Sequence, residues 1–154
     1  MLFLDIHSKA PYPSCALSNF ADHPFVLDGV QIRCMEGLLQ SLKVPAECQQ
    51  ELCASEARTA KQIGSSFQWQ KNGALFHWNG RYFSRYSKDY RDFLNRAYDA
   101  LTDQSPDFAA ALRETGHCVL WHSIGRFSRK QTCLTTWEFV RQLYRVRRRV
   151  RKRA

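Results

Sequence analysis

The sequence predicts an α+β domain, mostly helical, with a few short strands. Three observations lead there. First, the 154 residues are 44% apolar and 13% aromatic, which suits one buried core at a length typical of a single domain. Second, several segments space their apolar residues at helical intervals, the strongest beginning at Ser87 and at Thr135. Third, β-rich runs are short and local, as in Phe25-Val-Leu-Asp-Gly-Val-Gln-Ile32.

In chain order, residues 2–6 are apolar with one interruption and predict a short strand. Pro11-Tyr-Pro-Ser predicts a loop. Phe25 to Ile32 predicts a hairpin, because Asp28-Gly29 suits a type I′ turn. Cys34 to Lys43 carries Met35, Leu38, Leu39 and Leu42 at helical spacing. Pro45 opens a second short helix. A third starts at Ser55-Glu-Ala-Arg, with Ser55 expected as its N-cap and Gly64 as its stop. Residues 65–85 hold turn signals at Asn72-Gly73 and Asn79-Gly80 and much aromatic mass, but no single period. Ser87 begins a long helix through Leu101, broken at Gln104-Ser-Pro-Asp107. Ser105 or Pro106 starts another, ending near Gly116. Cys118-Val-Leu-Trp121 predicts a buried strand. Thr135 or Thr136 caps a last helix with Phe139, Leu143, Val146 and Val150 on one face.

The formal net charge is +9. Residues 141–154 hold eight of the 23 bases and none of the 14 acids, so the rest of the chain is close to neutral. This divides the chain into a domain over 1–146 and a basic Arg-rich tail over 147–154. The tail, Arg147 to Arg153, can contact nucleic acid, or can simply be a solvated helix end whose cations suit the helix dipole; the second is the simpler reading. No apolar run approaches the ~20 residues of a membrane span. Asp5 would interrupt the core of a signal peptide, and no basic leader or cleavage site accompanies it. The expectation is a cytoplasmic protein away from the membrane. Its six cysteines, at 15, 34, 48, 53, 118 and 133, form no CxxC or zinc-finger spacing and are expected reduced. No metal or cofactor is expected: phosphate-loop, dinucleotide, zinc-protease and nucleophile-elbow motifs are absent, and no acidic cluster suggests magnesium.

Three places could carry chemistry. Glu36, Gln40 and Lys43 lie four and three residues apart, on one helical stripe beside the apolar one. If that border faces a cleft, Glu36 can orient or deprotonate water, Gln40 can fix a polar group and Lys43 can bind phosphate or tune Glu36. On spacing alone a solvated polar face is the simpler reading. In Leu17-Ser-Asn-Phe20, Asn19 offers a donor and an acceptor, and Phe20 a flat face for a base or sugar; a turn Asn beside a core Phe is the plainer alternative. The segment Trp121-His-Ser-Ile-Gly-Arg-Phe-Ser-Arg-Lys-Gln-Thr132 concentrates His122, Arg126, Arg129 and Lys130 after a buried strand. It suits a phosphate and equally an exposed basic loop.

At these same places the chain resembles the NADAR family, whose bacterial members include riboflavin-biosynthesis-intermediate N-glycosidases. The similarity is carried by Leu17-Ser-Asn-Phe-Ala-Asp-His-Pro-Phe-Val-Leu-Asp-Gly29 and Cys34-Met-Glu-Gly-Leu-Leu-Gln-Ser-Leu-Lys43. It is supported by Glu56-Ala-Arg-Thr-Ala-Lys-Gln-Ile-Gly64, Lys88-Asp89, Leu112-Arg-Glu-Thr-Gly116, Ile124-Gly125 and Thr132-Cys-Leu-Thr-Thr-Trp-Glu-Phe139. The chain departs from the family at Gly37, where a His or an aromatic is usual, and at Trp121-His-Ser-Ile-Gly125, where the family has a tryptophan-glycine region.

The resemblance implies an α+β N-glycosidase fold and hydrolysis of the bond between ribose C1 and a nitrogen. Family activities act on ribosylamino-pyrimidine phosphates or remove ADP-ribose from guanine. Asn19 and Phe20 would hold the substrate, Glu36 would be the catalytic carboxylate, and Gln40 and Lys43 would support it. Cleavage builds positive charge on the ribose ring, which a carboxylate stabilises. The leaving nitrogen needs a proton, which His122 can donate, as histidine commonly does in acid–base catalysis. A substrate phosphate would favour Lys43 and Arg129. The alternatives are a catalytically weak module binding nucleotide or ADP-ribose, and a nucleic-acid-associated protein using its tail.

Overall fold

A computed structural model describes residues 2–153. The architecture is α+β, as expected. The chain runs through β1 (Phe3–Asp5), α1 (Ser14–Leu17), β2 (Phe25–Leu27), β3 (Val30–Ile32), α2 (Met35–Ser41), α3 (Gln49–Cys53), α4 (Ala57–Ser65), β4 (Leu75–Trp78), β5 (Arg81–Ser84), α5 (Lys88–Gln104), α6 (Pro106–Glu114), β6 (Val119–Trp121) and α7 (Thr136–Lys152). Short 3-10 turns occupy Ala46–Cys48 and Trp69–Lys71.

The strands form three separate pairs. β2 and β3 make an antiparallel hairpin with Phe25 opposite Ile32. Asp28 and Gly29 between them both have positive φ, as a type I′ turn requires. β4 and β5 make a second hairpin across Asn79-Gly80, again with two positive φ values. β1 pairs in parallel with β6, Phe3 opposite Val119, tying the start of the chain to a strand more than a hundred residues later. This pair packs under α7.

The long helices obey the expected apolar stripes. α5 buries Tyr90, Phe93, Leu94, Ala97, Tyr98 and Leu101, and the Ser87 hydroxyl caps it by accepting from the Tyr90 amide. α6 begins with Ser105 as cap and Pro106 in its first turn. α7 starts with a capping box: the Thr135 hydroxyl accepts from the Glu138 amide at 3.1 Å, and Glu138 accepts from the Thr135 amide at 2.8 Å. The core joins these faces to the aromatics of the second hairpin, with Phe76 5.1 Å from Tyr90 and Trp78 5.6 Å from Phe93 between ring centroids.

Local details differ from the sequence-based expectation. The Pro11–Ser14 loop turns into the one-turn helix α1. Ser55 does not cap α4; its hydroxyl donates backwards to the Glu51 carbonyl at 2.7 Å, and Glu56 stands at the N-cap instead. Gly64 does not end α4. It is buried inside the helix, which runs on to Ser65. Residues 147–152 continue α7 without a break, and Arg147 is buried, donating to the Thr115 hydroxyl and the Cys118 carbonyl. Among the described residues all six cysteines are free, and no helix is long and apolar enough to cross a membrane.

Candidate active site

One cleft of about 570 Å³ is built from four parts of the chain: the turn after α1, α2, α4 and the loop between β6 and α7. Its lining includes Asn19, Phe20, Glu36, Gln40, Lys43 and His122. Six of the seven residues given a role in the expected reaction therefore share one cavity.

α2 supplies the floor. Its apolar stripe packs inward, with Met35, Leu38, Leu39 and Leu42 buried, so the neighbouring polar stripe turns into the cleft. The Lys43 ammonium donates to Gln40 Oε1 at 2.9 Å, and Gln40 Nε2 donates to Glu36 Oε1 at 2.7 Å. An ammonium can only donate and a carboxylate can only accept, so the Gln40 amide has a single orientation between them. Gln40 is 5% exposed. It owes its place to Gly64 on α4, where an added Cβ would lie 2.0 Å from Gln40 Oε1. Ala57, Ala60 and Gly64 are the buried residues of α4, a small-residue face that lets it close on α2.

Gly37, the departure from the family pattern, has a packing reason. A Cβ there would meet the Leu52 carbonyl oxygen at 2.8 Å, so glycine lets α2 lie against α3.

The turn after α1 supplies the wall. The Asn19 carbonyl accepts from the Glu36 amide at 3.0 Å, placing the turn over the first turn of α2. Asn19 Oδ1 accepts from the Tyr98 hydroxyl at 2.7 Å. Tyr98 is fully buried, and that burial pushes its phenol well above the usual range, so it stays a donor. The Asn19 amide nitrogen is thereby left as the group to offer a ligand. The Lys61 ammonium stands 5.4 Å from the centre of the Phe20 ring.

The loop before α7 supplies the other lip. His122 Nδ1 lies 2.6 Å from the Ile6 carbonyl. A carbonyl only accepts, so Nδ1 carries hydrogen and Nε2 is the ring nitrogen left for a ligand. The ring also meets Phe139 edge-to-face at 5.0 Å. Gly125 folds tightly here, since a Cβ would fall 2.1 Å from Thr136 Oγ1 and 2.6 Å from His122 Cδ2. Arg85 anchors the far end of the loop. Its guanidinium is 1% exposed, grips Glu138 with two bonds of 3.0 and 2.6 Å, and donates from Nε to the Thr132 carbonyl at 2.9 Å.

Arg129 is the exception among the expected site residues. It does not line the cleft; its guanidinium stacks 5.2 Å over the Tyr86 ring. The cations that do line it are Lys43, Lys61 and Arg126, against Glu36 alone among the acids. The cleft therefore favours an anion beside a single carboxylate. Local spacing does not mark Lys61, Arg85 or Tyr98 as site residues, nor the role of Gly64 beside Gln40. The 57–60–64 spacing of small residues was the one available signal, marking the face of α4 that approaches a neighbour. Among the described residues, no three His, Cys, Asp or Glu side chains gather as metal ligands would.

This architecture is the NADAR-type fold. The chain superimposes on the NMR structure of YbiA from E. coli, a NADAR family protein, with a TM-score of 0.66. Identity is 14%, covering 99% of this chain and 86% of that one, so the likeness is one of fold. The particular family follows from sequence. The model for bacteriophage protein GP30.3 matches residues 11–148, and the chain belongs to that family, which is NADAR-related. It is 41% identical over 140 residues to an uncharacterized 17.1 kDa protein in the Gp30-rIII intergenic region of enterobacteria phage T4, covering 89% of this chain and 91% of that one.

Proposed function

We propose that the protein is a hydrolase, an N-glycosidase cleaving the bond between ribose C1 and a base or amine nitrogen. Its substrate is a phosphorylated N-riboside or an ADP-ribosyl adduct on guanine. The observation that carries this reading is the hydrogen-bonded series Lys43–Gln40–Glu36 opening into a cleft that also holds Asn19, Phe20 and His122.

Each group has a task. Phe20 packs on the sugar or base, and the Asn19 amide nitrogen holds a substrate oxygen. As the C1–N bond breaks, both its electrons leave with nitrogen and positive charge grows on the ribose ring. Glu36, held by Gln40, stabilises that charge and takes a proton from the attacking water. His122, protonated at Nε2, returns a proton to the leaving nitrogen. Water oxygen thus bonds to C1, and nitrogen leaves protonated. Lys43, Lys61 and Arg126 suit the phosphate.

The test is incubation with both substrate classes and mass spectrometry of released base or ADP-ribose. Glu36→Gln keeps an oxygen for Gln40 to bond and removes only the charge. Turnover should fall by about 10²–10³-fold with little change in thermal stability. Near-normal turnover in the folded variant would remove Glu36 from catalysis. Lys43→Met and Arg126→Met should weaken a phosphorylated substrate more than its dephosphorylated form, whereas Arg129→Met should affect neither.

A further inference from the structure

A surface beside the cleft has no part in that reaction. Ile124 and Arg126 line the cleft, but the loop then carries Phe127, Arg129 and Lys130 outward. Phe127 is 59% exposed, and Trp137, in the first turn of α7, is 62% exposed. Trp121 joins them, 6.2 Å from Phe127 and 5.1 Å from Trp137 between ring centroids. Such a run of open aromatic faces on one surface marks a binding site more often than a fold requirement.

Cations are interleaved with these rings. No acid occurs from residue 122 to 134. Among the described residues, the side chains of Arg126, Arg129 and Lys130 make no ion pair or hydrogen bond, and Arg129 lies over the exposed Tyr86 ring. The carboxylates nearby in sequence or structure are already engaged: Asp5 accepts from the amide and hydroxyl of Ser123, and Glu138 is gripped by Arg85. The C-terminal helix contrasts with this. Arg145, Arg149 and Arg153 pair with Asp99 and Asp103, Arg147 is buried, and Arg151 donates to the Gly116 carbonyl. Arg141, Arg148 and Lys152 remain unpaired among the described residues; Arg141 lies one turn from Trp137, on the same face of α7, whereas Arg148 and Lys152 lie toward the far end of that helix.

We propose that the lip formed by Phe127, Arg129, Lys130 and Trp137 binds single-stranded nucleic acid, with unpaired bases stacking on the two rings and phosphates on the two cations, so that the strand passes Arg126 at the cleft mouth. Flat aromatic faces accept any unpaired base, while a duplex keeps its bases stacked and unavailable. Binding alone is at stake, so the inference stands or falls separately from glycosidic cleavage.

The experiment is fluorescence anisotropy with a labelled oligothymidylate, and with the same strand in duplex, over a salt series. The single strand should bind more tightly than the duplex. Trp137→Ala and Phe127→Ala should each weaken it by about tenfold with the salt slope unchanged. The double variant Arg129→Gln/Lys130→Gln should reduce the slope of log affinity against log salt by roughly 1.4, about 0.7 per lost phosphate contact. All four side chains are exposed, and circular dichroism verifies folding of each variant. The inference is overturned by an absence of binding at low salt. It is equally overturned if Arg148→Gln/Lys152→Gln abolishes binding while the lip variants do not. A wild-type dimer that Trp137→Ala dissociates, with no response to the oligonucleotide, would assign the surface to a second copy of the chain instead.

Discussion

Gln40 shows how much of the cleft depends on single side chains. It is bonded at one end to a cation and at the other to a carboxylate, and it lies over a glycine on another helix. Gly64→Ala is therefore a precise probe. Alanine in a helix interior is intrinsically favoured over glycine by about 1 kcal/mol, which offsets part of the overpacking cost of about 1–3 kcal/mol. The amide end of Gln40 can yield by swinging away, but Gln40 Cβ, 2.9 Å from the added methyl, is fixed to α2, so the two helices must also part slightly. The expected outcome is a melting temperature within a few degrees of wild type, with turnover reduced as in a Gln40 truncation. Unchanged turnover would show that Gln40 does not hold Glu36 for catalysis.

At the scale of elements, the loop between β6 and α7 is the least regular wall of the cleft, and a buried ion pair secures it. Arg85 leaves β5 to bind Glu138 on α7 and the Thr132 carbonyl of the loop. Burial by itself raises the Glu138 carboxyl, but the bonds from Arg85 and the Thr135 amide outweigh it and hold the group below its ordinary value. Breaking one partner of such a pair leaves the other charge without compensation, at a cost of about 3–5 kcal/mol. Glu138 keeps 20% side-chain exposure, so Arg85→Met should fall near the lower end, and for a chain of this size each kcal/mol lowers Tm by roughly 2–4 °C. Loop amides at 131–134 should also exchange hydrogen faster than those of α5. A loss of stability without faster loop exchange would separate the pair from the cleft wall.

Across the whole molecule, the +9 charge is not spread evenly, nor does it lie free at the C-terminus. Several of the last arginines hold carboxylates of α5. Asp103 is held down to about 2 from an ordinary 3.8, first by the hydrogen bond from Arg149 and then by that from Arg153. Asp28 is lowered too, chiefly by its bond from Arg96. Because these groups ionise more readily folded than unfolded, the unfolded chain takes up protons first as the solution is acidified. Their contribution is complete above the ordinary carboxylate range and is lost as pH falls from about 4 toward 2. Thermal unfolding followed over that range should show a steep acid limb. Asp103→Asn should lower Tm at neutral pH and flatten the limb; an unchanged limb would mean that Asp103 does not contribute to it.

What the sequence determined by itself is what local spacing and chain chemistry decide. The long helices at Ser87 and Thr135 were legible because one face repeats its apolar residues, and both begin with side chains that satisfy free amides. The Asp28-Gly29 hairpin was legible because its turn tolerates few residue pairs. Glu36, Gln40 and Lys43 were legible as a unit because steps of four and three align within one helix. The cleft itself belongs to tertiary structure. Whether that stripe faced water or a cavity depended on α4 and the loop before α7, neither of which is a sequence neighbour of α2. Arg129 and Arg126 sit three residues apart in one loop of indistinguishable composition, and only the path of the backbone sends one into the cleft and the other onto Tyr86. Arg85 gave no signal because its partners lie some fifty residues away. The pairing of β1 with β6 joins the two ends of the domain by contacts that no local period records, for pairing between distant strands is chosen by the packing of everything between them.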